Sequence, residues 1–588
     1  MKEPIQIALL AVVVFVIALG GYGLSLLIGV SGDLTVSSYE VEISDNMLVE
    51  TFVFELRSSN EYRMLYRFWE DDISFQSNLS SPHLKVVDVQ SDFISYVKDY
   101  KDDVFSVDSL SSLQKDFIED KAYTNEIGMY NPNYFDAGSY ELVITYEMAP
   151  PVEFDDSFYH VNLKLASEHI PYESVKISFD NSSGTLVKLF SHPPMDRELI
   201  GSSVVLSGSS PSDGLIEVEW LSTDVDFGVQ SSVENVYEKT ISANNNYNLG
   251  YSVFDGLGLV LMALCFGFAA IVVLLYLVGG REKKFTVPKY LSTYPRERKP
   301  WFVNMLFYKN EMSIDENAYV ATLLDLHRQG IIEIDFSNLH KKITVKQWDA
   351  KLDRYESKVM SFLRTWGDSD VLDFDELDEK IKNRGFSSFE AASFKRSFDE
   401  VQKTFRSNIV NRYIRSGRLI PFVLVGIGGV LCVLSLISLG LFGSIYPNIL
   451  PSFLFALVFT IQSAVTASAR PSLLGQWREH HYEEKLQWEA FRAFLSDMAH
   501  LEKYEVEDYN MWKEWLIYGT ALGVGEKVAK AMMTRNIAIP EAHFVPIMFI
   551  SFHHINRSYT SSYASSSGSG GGGFGGGGGF GGGGAGGR

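Results

Sequence analysis

The sequence has almost no cysteine. Its 588 residues contain two, Cys265 and Cys432, and both lie inside apolar runs. Residues 31–250 contain none, so this segment is not held together by disulfides and must rely on a hydrophobic core. Cysteines inside apolar runs usually serve as small hydrophobic residues of membrane helices. They do not indicate a redox pair or a metal-binding pair.

Catalytic motifs are also lacking. The sequence has no GxSxG, no P-loop, no CxxC and no GxGxxG in a strand–helix–strand context. Histidine pairs and aspartate pairs are present, but they lack HExxH spacing and the DxDxDG spacing of a calcium loop. These pairs, with their acidic neighbours, are His480 and His481 beside Glu479, Glu483 and Glu484; His553 and His554; Asp71 and Asp72; Asp102 and Asp103; Asp155 and Asp156. We therefore predict no catalytic, cofactor-binding or metal-binding residue, and no cofactor.

Basic residues are scarce in one part of the chain. The formal net charge is −22. Residues 31–250 hold roughly 13 Lys and Arg against roughly 38 Asp and Glu, a balance of about −25, so the acidity belongs to this segment and the remainder of the chain is close to neutral. Such a segment repels nucleic acid and anionic lipid. Neither is expected as its partner.

Four long apolar runs are present, and each is long enough to cross a bilayer. The predicted spans are residues 5–28, 255–278, 419–442 and 449–469. The first run is longer than the apolar core of an ordinary signal peptide, which favours an uncleaved anchor. The alternative is a signal sequence cleaved near Val30-Ser31-Gly32. Apart from scattered Ser, Thr and Tyr, the polar side chains inside the apolar stretches of the four runs are Gln6 and Gln462. Ion pathways need more such groups, so transport is not favoured.

Basic residues flank these runs on one side, and basic loops stay in the cytoplasm. They are Arg281, Lys283, Lys284, Arg412, Arg415, Arg418, Arg470 and Arg478. We predict a multi-pass protein of the cell membrane with a cytoplasmic N-terminus, residues 31–250 outside the cytoplasm and a cytoplasmic C-terminus.

The acidic segment alternates apolar and polar residues. Thr35 to Leu56 reads as a β-hairpin with a turn at Asp45-Asn46, and similar alternation recurs up to Trp220. Many short strands between turn residues favour an all-β, sandwich-like domain, either one elaborated sandwich or two small ones. Residues 88–121 interrupt the pattern and predict an inserted loop with a helix over 109–120.

The segment after the second span is mainly helical. Ser313 to Glu316 reads as a capping box for a helix that stops at Gly330. A hairpin and a helix over 353–366 follow, which is compatible with a winged-helix-like module. Lys341, Lys342 and Lys346 lie on its predicted wing, but the preceding helix is acidic, so protein interaction is favoured over DNA.

Two further helices are predicted near the end, over 478–503 and 510–533. The second either lies at the membrane interface through Trp512, Trp515 and Tyr518, or forms a packed cytoplasmic helix pair with the first. The Ser/Gly-rich tail, 558–588, carries Phe574 and Phe580 and is predicted to be disordered.

Several stretches resemble a known family, the DUF2207 (YciQ-like) predicted membrane proteins. They are YEVEISDNMLVETFVFE from Tyr39, GSYELVITY from Gly138, ATLLDLHRQGIIEI from Ala321, WEAFRAFLSDM from Trp488, WKEWLIYGTALGVGEKV from Trp512 and the glycine–phenylalanine tail. Where an acidic-aromatic stretch with Trp is expected after GSYELVITY, this chain has Asp155-Asp156-Ser157-Phe158-Tyr159. The resemblance implies an exported β domain, membrane helices and a helical cytoplasmic region, and it implies no established activity.

The expected organisation is a multidomain membrane protein. Its predicted parts are a transmembrane helix (5–28), an extracytoplasmic β-sandwich-like domain (31–250), a transmembrane helix (255–278), a cytoplasmic winged-helix-like and helical region (281–417), two transmembrane helices (419–442 and 449–469), a cytoplasmic helical region (470–557) and the tail (558–588).

The absence of catalytic motifs, with modules on both membrane faces, predicts a scaffold or signal-relay role. The alternative is a membrane-bound enzyme or accessory subunit with an unrecognised active site. The expected partners are the lipid bilayer and unidentified proteins. Nucleic acid is not expected, and no small-molecule substrate is identified.

Overall fold

A computed structural model describes most of the chain. The described residues are 3–27, 32–106, 110–309, 311, 313–337, 340–368, 370–373, 388–402, 407–443, 445–497, 509–535, 537, 541–546, 548 and 580–588. They divide into two compact units. Unit 1 comprises Met1–Val12, Ala269–Leu424 and Ser463–Gly571, and unit 2 comprises Val13–Phe268, Val425–Gln462 and Gly572–Arg588.

Unit 2 contains the β domain, in which the described residues before the second membrane helix form seventeen strands. They are β1 Leu34–Ser44, β2 Met47–Leu56, β3 Met64–Phe68, β4 Ile73–Phe75, β5 His83–Ser91, β6 Ile94–Lys98, β7 Val104–Ser106, β8 Glu126–Tyr130, β9 Gly138–Ala149, β10 Pro151–Phe154, β11 Tyr159–Ala166, β12 Tyr172–Asp180, β13 Leu186–His192, β14 Asp196–Ile200, β15 Ser203–Ser210, β16 Ile216–Ser222 and β17 Val229–Ser232.

The predicted hairpin at the start of the domain is confirmed. β1 and β2 pair antiparallel with Ser44 opposite Met47, and Asp45 adopts a positive φ of 50° in the turn. The alternate residues of β2 from Leu48 to Leu56 are buried. One face of the hairpin therefore enters a core, as its period of two requires.

Three sheets build the β domain. The eight-stranded sheet has the order β14-β15-β12-β1-β2-β9-β5-β4, and a second sheet runs β13-β16-β11-β10-β17. The third runs β3-β8-β6-β7. Side chains from all three sheets join one hydrophobic cluster, which favours a single elaborated domain over two small ones.

The insertion predicted at 88–121 supplies part of the third sheet. Its helix, α2, spans Ser112–Lys121, close to the prediction of 109–120. Ser111 caps it, because its hydroxyl accepts from the Gln114 backbone N–H while the Gln114 side chain accepts from the Ser111 N–H. The insertion thus supplies β6, β7 and α2, and β8, which follows it in the chain, lies between β3 and β6.

The helix that leaves the β domain is longer than predicted. Helix α3 spans Val236–Leu275 and continues as a π-helical turn over Tyr276–Gly280. Residues 236–250, assigned from the sequence to the β domain, are its first turns. A helix of this length rises roughly 65 Å, whereas a bilayer core is roughly 30 Å thick. Its polar first half therefore extends beyond the apolar core of a membrane.

Four helices among the described residues are long and apolar enough to cross a membrane: α1 Glu3–Leu27, α3, α9 Leu419–Phe442 and α10 Ile449–Ser468. They agree with the four predicted runs. Within unit 2, the Gln462 side-chain amide donates to the backbone carbonyls of Val14 and Cys265, at 2.7 and 3.0 Å. This intramembrane polar group ties three helices together.

The remaining described helices and strands of unit 1 are shorter than the four apolar helices. They are α4 Pro300–Val303, α5 Glu316–Arg328, β18 Ile332–Ser337, β19 His340–Val345, α6 Arg354–Trp366, β20 Val371–Asp373, α7 Ser388–Gln402, α8 Ser407–Tyr413, β21 Ile414–Arg415, β22 Gln476–Trp477, α11 His481–Ser496, α12 Tyr509–Ala521 and α13 Gly525–Thr534, with a π-helical turn at Asn304–Tyr308.

The predicted capping box from Ser313 to Glu316 is wrong. Helix α5 begins at Glu316, and its cap is Asp315, whose carboxylate accepts from the Asn317 backbone N–H at 3.0 Å. Asn304 also donates to this carboxylate. Asp is as good a cap as Ser. The cap therefore lies two residues later than the pattern suggests.

The module after α5 contains the predicted hairpin, β18 with β19, and then α6. The short strand β20 adds to β19 after α6. The winged-helix assignment remains a prediction. The side chain of Lys341 lies outside the described residues.

The region predicted as one helix over 510–533 is two helices, α12 and α13, separated at Gly523 with a φ of 70°. Trp512, Trp515 and Tyr518 are at most 5% exposed within the core of unit 1. These aromatic residues pack inside a protein core, so the interpretation as a membrane-interface helix is wrong.

The tail is not wholly disordered. Residues 580–588 form β23 Phe580–Gly581 and β24 Gly584–Gly587. The prediction of disorder over 558–588 is therefore wrong for its last nine residues. Residues 558–579 lie outside the described part of the chain.

Candidate functional site

The candidate site is a groove of the β domain, and residues 580–588, here called the tail segment, lie in it. β23 pairs parallel with β11, with Phe580 opposite Leu163. β24 pairs antiparallel with β3, with Gly584 opposite Phe68 and Gly587 opposite Leu65. The tail segment therefore joins the edges of two sheets.

Main-chain hydrogen bonds hold the tail segment along its length. The Gly582 N–H donates to Lys164 O at 2.7 Å, and Gly583 O accepts from the Ser167 N–H at 2.8 Å. Ala585 O accepts from the Ile170 N–H at 3.1 Å. Such bonds recognise the backbone of a strand and do not depend on its side chains.

The groove excludes side chains at several tail positions. Gly583 has a φ of 77°, and a Cβ there would overlap the carbonyl oxygen of Phe68. A Cβ at Gly584 would overlap the carbonyl oxygen of Glu168. Because both obstacles are backbone atoms, they do not move aside as a flexible side chain does. Glycine is required at these two positions.

Ala585 interrupts the glycines and makes a contact of its own. Its side chain is 3% exposed and belongs to the hydrophobic cluster of the β domain. Its backbone N–H donates to the Tyr172 hydroxyl at 3.0 Å. The tail segment thus contributes one small apolar side chain to the core.

A buried ion pair lies under the groove. Arg67 on β3 and Glu50 on β2 are 3.2 Å apart, and both side chains are fully buried. The hydroxyls of Tyr39 and Tyr146 donate to Glu50 at 2.5 and 2.9 Å. The guanidinium also lies 3.6 Å above the ring of Trp69.

Arg67 links this cluster to the tail segment. It donates to the Leu165 carbonyl at 2.7 Å and to the Gly582 carbonyl at 3.0 Å. The ion pair is thereby satisfied by hydrogen bonds, as a buried pair must be. Its donors also set the position of the tail backbone.

Two acidic side chains, Glu70 and Asp71, contact the first part of the tail segment. Glu70 accepts from the Ser167 hydroxyl at 2.6 Å, from Lys164 at 3.1 Å and from the Gly583 N–H at 3.3 Å. Burial raises the pKa of Glu70, but these hydrogen bonds outweigh it and leave the pKa below its ordinary value. Asp71 accepts from the Gly581 N–H. Burial keeps the pKa of Asp71 above its ordinary value.

The tail segment ends in a pocket made by β3, the start of β8 and the turn before β8. The Arg588 guanidinium lies 4.2 Å from the Tyr66 ring centre and 4.1 Å from that of Tyr123. It is paired with Glu126, whose side chain is fully buried. A cavity of about 720 Å³ opens beside these residues.

The acidic pairs noted in the sequence, which were not predicted to form a site, make structural contacts. Among the aspartates, only Asp71 reaches the groove. Asp155 accepts from the Val236 N–H at the start of α3, and Asp102 accepts from the Thr124 hydroxyl. In the described part of the chain, no group of three or more His, Cys, Asp and Glu side chains is arranged to hold a metal.

The first histidine pair makes its contacts within unit 1. His480 is 87% exposed, and His481 lies 3.6 Å from Glu484, which Arg298 binds through two nitrogens. His553 and His554 lie outside the described residues. Cys265 donates weakly to the Phe455 carbonyl within the helices of unit 2.

The groove residues were not predicted from the sequence, although one of them, Glu50, carries a signal. Glu50 occupies the same inward face of β2 as Leu48, Phe52 and Phe54. A charged residue at an inward position predicts a buried partner. The composition of the tail segment points to disorder and carries no signal for a strand.

Two family models match the chain. The N-terminal domain model of DUF2207, a predicted membrane protein, matches residues 35–221, and the C-terminal domain model of DUF2207 matches residues 287–532. The chain belongs to the DUF2207 family. The resemblance noted in the sequence is thereby confirmed, and this DUF2207 protein is a predicted membrane protein of unknown function. No curated protein matches it.

Solved structures resemble the DUF2207 chain only weakly. An M1 zinc metallopeptidase from Deinococcus radiodurans matches with 9% identity and a TM-score of 0.19, covering 33% of this chain and 43% of its own. A two-domain mutant form of it bound to L-tryptophan matches with 9% identity and a TM-score of 0.19, covering 33% and 44%. The chain thus spans less than half of these proteins. Likenesses at this level indicate no shared activity.

Proposed function

We propose that this DUF2207 protein is a membrane scaffold whose β domain, on the extracytoplasmic side, binds an extended glycine-rich peptide strand. Its helical region would engage cytoplasmic protein partners. The observation that supports the proposal is the tail segment in its groove, bonded along its backbone to β3 and β11. Addition of a strand to a sheet edge is a common mode of peptide recognition.

The groove would select its ligand by excluding strands that carry side chains at two positions. Backbone oxygens of Phe68 and Glu168 leave no room for a side chain opposite them. A strand with larger residues at those positions would have to move away and lose its main-chain hydrogen bonds. A steric clash with the wrong strand gives specificity without an additional attractive contact to the right one.

The predicted membrane arrangement determines which strand reaches the groove. Three candidate membrane helices, α3, α9 and α10, separate the β domain from the tail segment in the chain. If all three cross, an odd number of crossings puts the chain's own tail on the other side. The proposed ligand is therefore a glycine-rich strand of the same kind on another exported polypeptide. Its sequence would resemble that of the tail segment.

Peptide binding to the full-length protein tests this proposal. Gly583→Val and Gly584→Val together would keep the chain's own tail out of the groove. The fluorescent nonapeptide FGGGGAGGR, which has the sequence of residues 580–588, would be titrated against this variant in nanodiscs. The matched control is FGGVGAGGR, which carries valine at the position of Gly583.

We expect saturable binding of the first peptide, measured by fluorescence anisotropy, and at least roughly ten-fold weaker binding of the control, a difference of about 1.4 kcal/mol. Equal binding of the two peptides, or no binding of either, would overturn the proposal.

A further inference from the structure

We infer that the groove ends in a pocket selective for an arginine side chain, so that the strand it binds carries the sequence Gly-Gly-Arg. The pocket is formed by Glu126, Tyr66 and Tyr123. The inference rests on the proposed function and names the class of peptide that the groove takes.

The pocket provides a buried negative charge. Glu126 begins β8, and its side chain is fully buried. The Tyr96 hydroxyl donates to one of its oxygens at 2.5 Å, and the Tyr123 backbone N–H donates to the other at 2.9 Å. These neutral donors orient the carboxylate but do not neutralise it. Among the described contacts, the cation paired with it is Arg588.

Removal of the Arg588 guanidinium would leave the Glu126 carboxylate buried without a positive partner, which costs free energy. Burial raises the pKa of Glu126, and the Arg588 charge acts in the opposite direction. A buried carboxylate without a positive partner is expensive, so an empty pocket favours capture of a cation. The pocket therefore selects for a positive charge on the strand.

The two tyrosines select the shape of that charge. Their ring centres are 5.8 Å apart in an edge-to-face arrangement, and the guanidinium carbon lies about equally far from both. A planar guanidinium stacks on aromatic faces and is weakly hydrated. A lysine ammonium is compact and strongly hydrated, so it loses more on leaving water. The pocket accordingly favours arginine over lysine.

Backbone bonds fix the distance between this pocket and the glycine slot. The Arg588 N–H donates to Met64 O at 3.0 Å, and Arg588 O accepts from the N–H groups of Arg63 and Met64. A Cβ at Gly587 would lie 2.6 Å from Leu34 Cδ2, 2.9 Å from Tyr62 Cδ1 and 3.1 Å from Leu65 Cδ2, so three side chains would have to shift together to admit it. The residue before the arginine must therefore be small, which links the two parts of the recognised sequence.

A peptide series on the same protein tests the pocket without mutating it. FGGGGAGGR, FGGGGAGGK and FGGGGAGGQ, all with the same terminal group, would compete for the tail-displaced variant in nanodiscs. We expect the lysine and glutamine peptides to bind about ten-fold more weakly than the arginine peptide. With Glu126→Gln, the ratio between arginine and glutamine peptides should fall to near one. With Tyr134→Leu, a residue outside the pocket, that ratio should be retained.

The outcomes separate the two proposals. If the three peptides bind equally while valine at the Gly583 position still blocks binding, the arginine pocket is refuted and the peptide groove stands. If the valine peptide binds as well as the others, the groove itself is refuted. Retention of the full arginine preference by Glu126→Gln would also overturn the assignment, because the ratio does not depend on the fraction of folded protein.

Discussion

At the scale of single residues, the structure depends on charges that a β domain normally keeps outside. Glu50 and Arg67 lie side by side in the core and bind Tyr39, Tyr146 and the backbone of neighbouring strands. Buried pairs of this kind are stable only while both members are present. Their removal should therefore show a strong asymmetry between single and double substitutions.

Arg67→Met should destabilise the β domain by about 3–5 kcal/mol, because it leaves the Glu50 charge buried without a partner. Thermal unfolding of the full-length protein in detergent measures the change. Glu50→Leu combined with Arg67→Met is the matched control and should recover part of the loss. A single variant as stable as the wild type would contradict the assignment of a buried, ionised pair.

Two histidines lie where the β domain meets the first turns of α3. His160 lies 2.7 Å from Glu219 and 3.1 Å from Glu153, and His192 lies 3.4 Å from Glu217 and 2.9 Å from Asn244 on α3. Burial lowers the pKa of each histidine, but the neighbouring carboxylates outweigh it and leave both values above the ordinary one.

These pKa shifts make stability depend on pH. A histidine with a raised folded pKa stabilises the fold fully below its unfolded pKa of about 6.5, and this contribution is lost as the pH rises through the folded pKa. We expect the unfolding temperature to be higher at pH 6 than at pH 8. His160→Gln with His192→Gln should reduce the difference, whereas His480→Gln on the surface should not. An unchanged pH dependence in the double variant would refute this explanation.

The sequence predicts such single residues only in part. Period-two burial in β2 follows from its alternation, and Glu50 is visible as an exception to it. The identity of its partner is not predictable, because Arg67 belongs to a different sheet and reaches Glu50 through the packing of the two sheets, which local patterns do not determine.

At the scale of elements, helix α3 is the main correction. The hydropathy of residues 255–278 predicts a membrane span correctly, but the polar turns before it give no apolar signal. Tertiary contacts account for the earlier helix start: Asp155 accepts from the first N–H of α3, and Asn244 donates to Glu219 at 2.7 Å. The helix therefore continues without a break from the β domain into its apolar segment.

Asp155→Ala should loosen the first turn of α3, because Asp155 supplies the acceptor for the Val236 N–H. Hydrogen exchange of residues 236–240 in the full-length protein should become several-fold faster. Asp156→Ala is the matched control, since the carboxylate contacts with Ser157, Phe158 and Val236 are made by its neighbour. Equal exchange in the two variants would contradict the capping role.

The tail segment shows the other limit of prediction from sequence. Glycine runs have a high conformational entropy and few groups to bury, so disorder is the expected state. Here the groove supplies what the segment lacks: backbone partners on two strands and a counter-charge for Arg588. The order of the tail segment is thus a property of the β domain.

At the scale of the whole molecule, four apolar helices and two family domains agree with a multi-pass membrane protein. The orientation remains a prediction from basic residues near the helix ends. It decides whether the groove can meet the tail segment of its own chain. Orientation therefore has functional as well as structural consequences.

Single cysteines at Gly32, Lys284, Tyr446 and Arg470, introduced after replacing Cys265 and Cys432 by alanine, test the orientation. An impermeant thiol reagent added outside intact cells should label positions 32 and 446. Positions 284 and 470 should react only after permeabilisation. Labelling of position 284 from outside would reverse the predicted topology.

Photo-crosslinking tests the central claim, strand recognition by the groove, most directly. FGGGGAGGR with a photoreactive phenylalanine at its first position would be irradiated with the full-length Gly583→Val, Gly584→Val variant in nanodiscs, and the adducts mapped by mass spectrometry. Because Phe580 lies opposite Leu163 on β11, we predict adducts within β11 that excess unlabelled peptide abolishes. Adducts confined to other parts of the chain, or adducts that competitor does not reduce, would contradict the account.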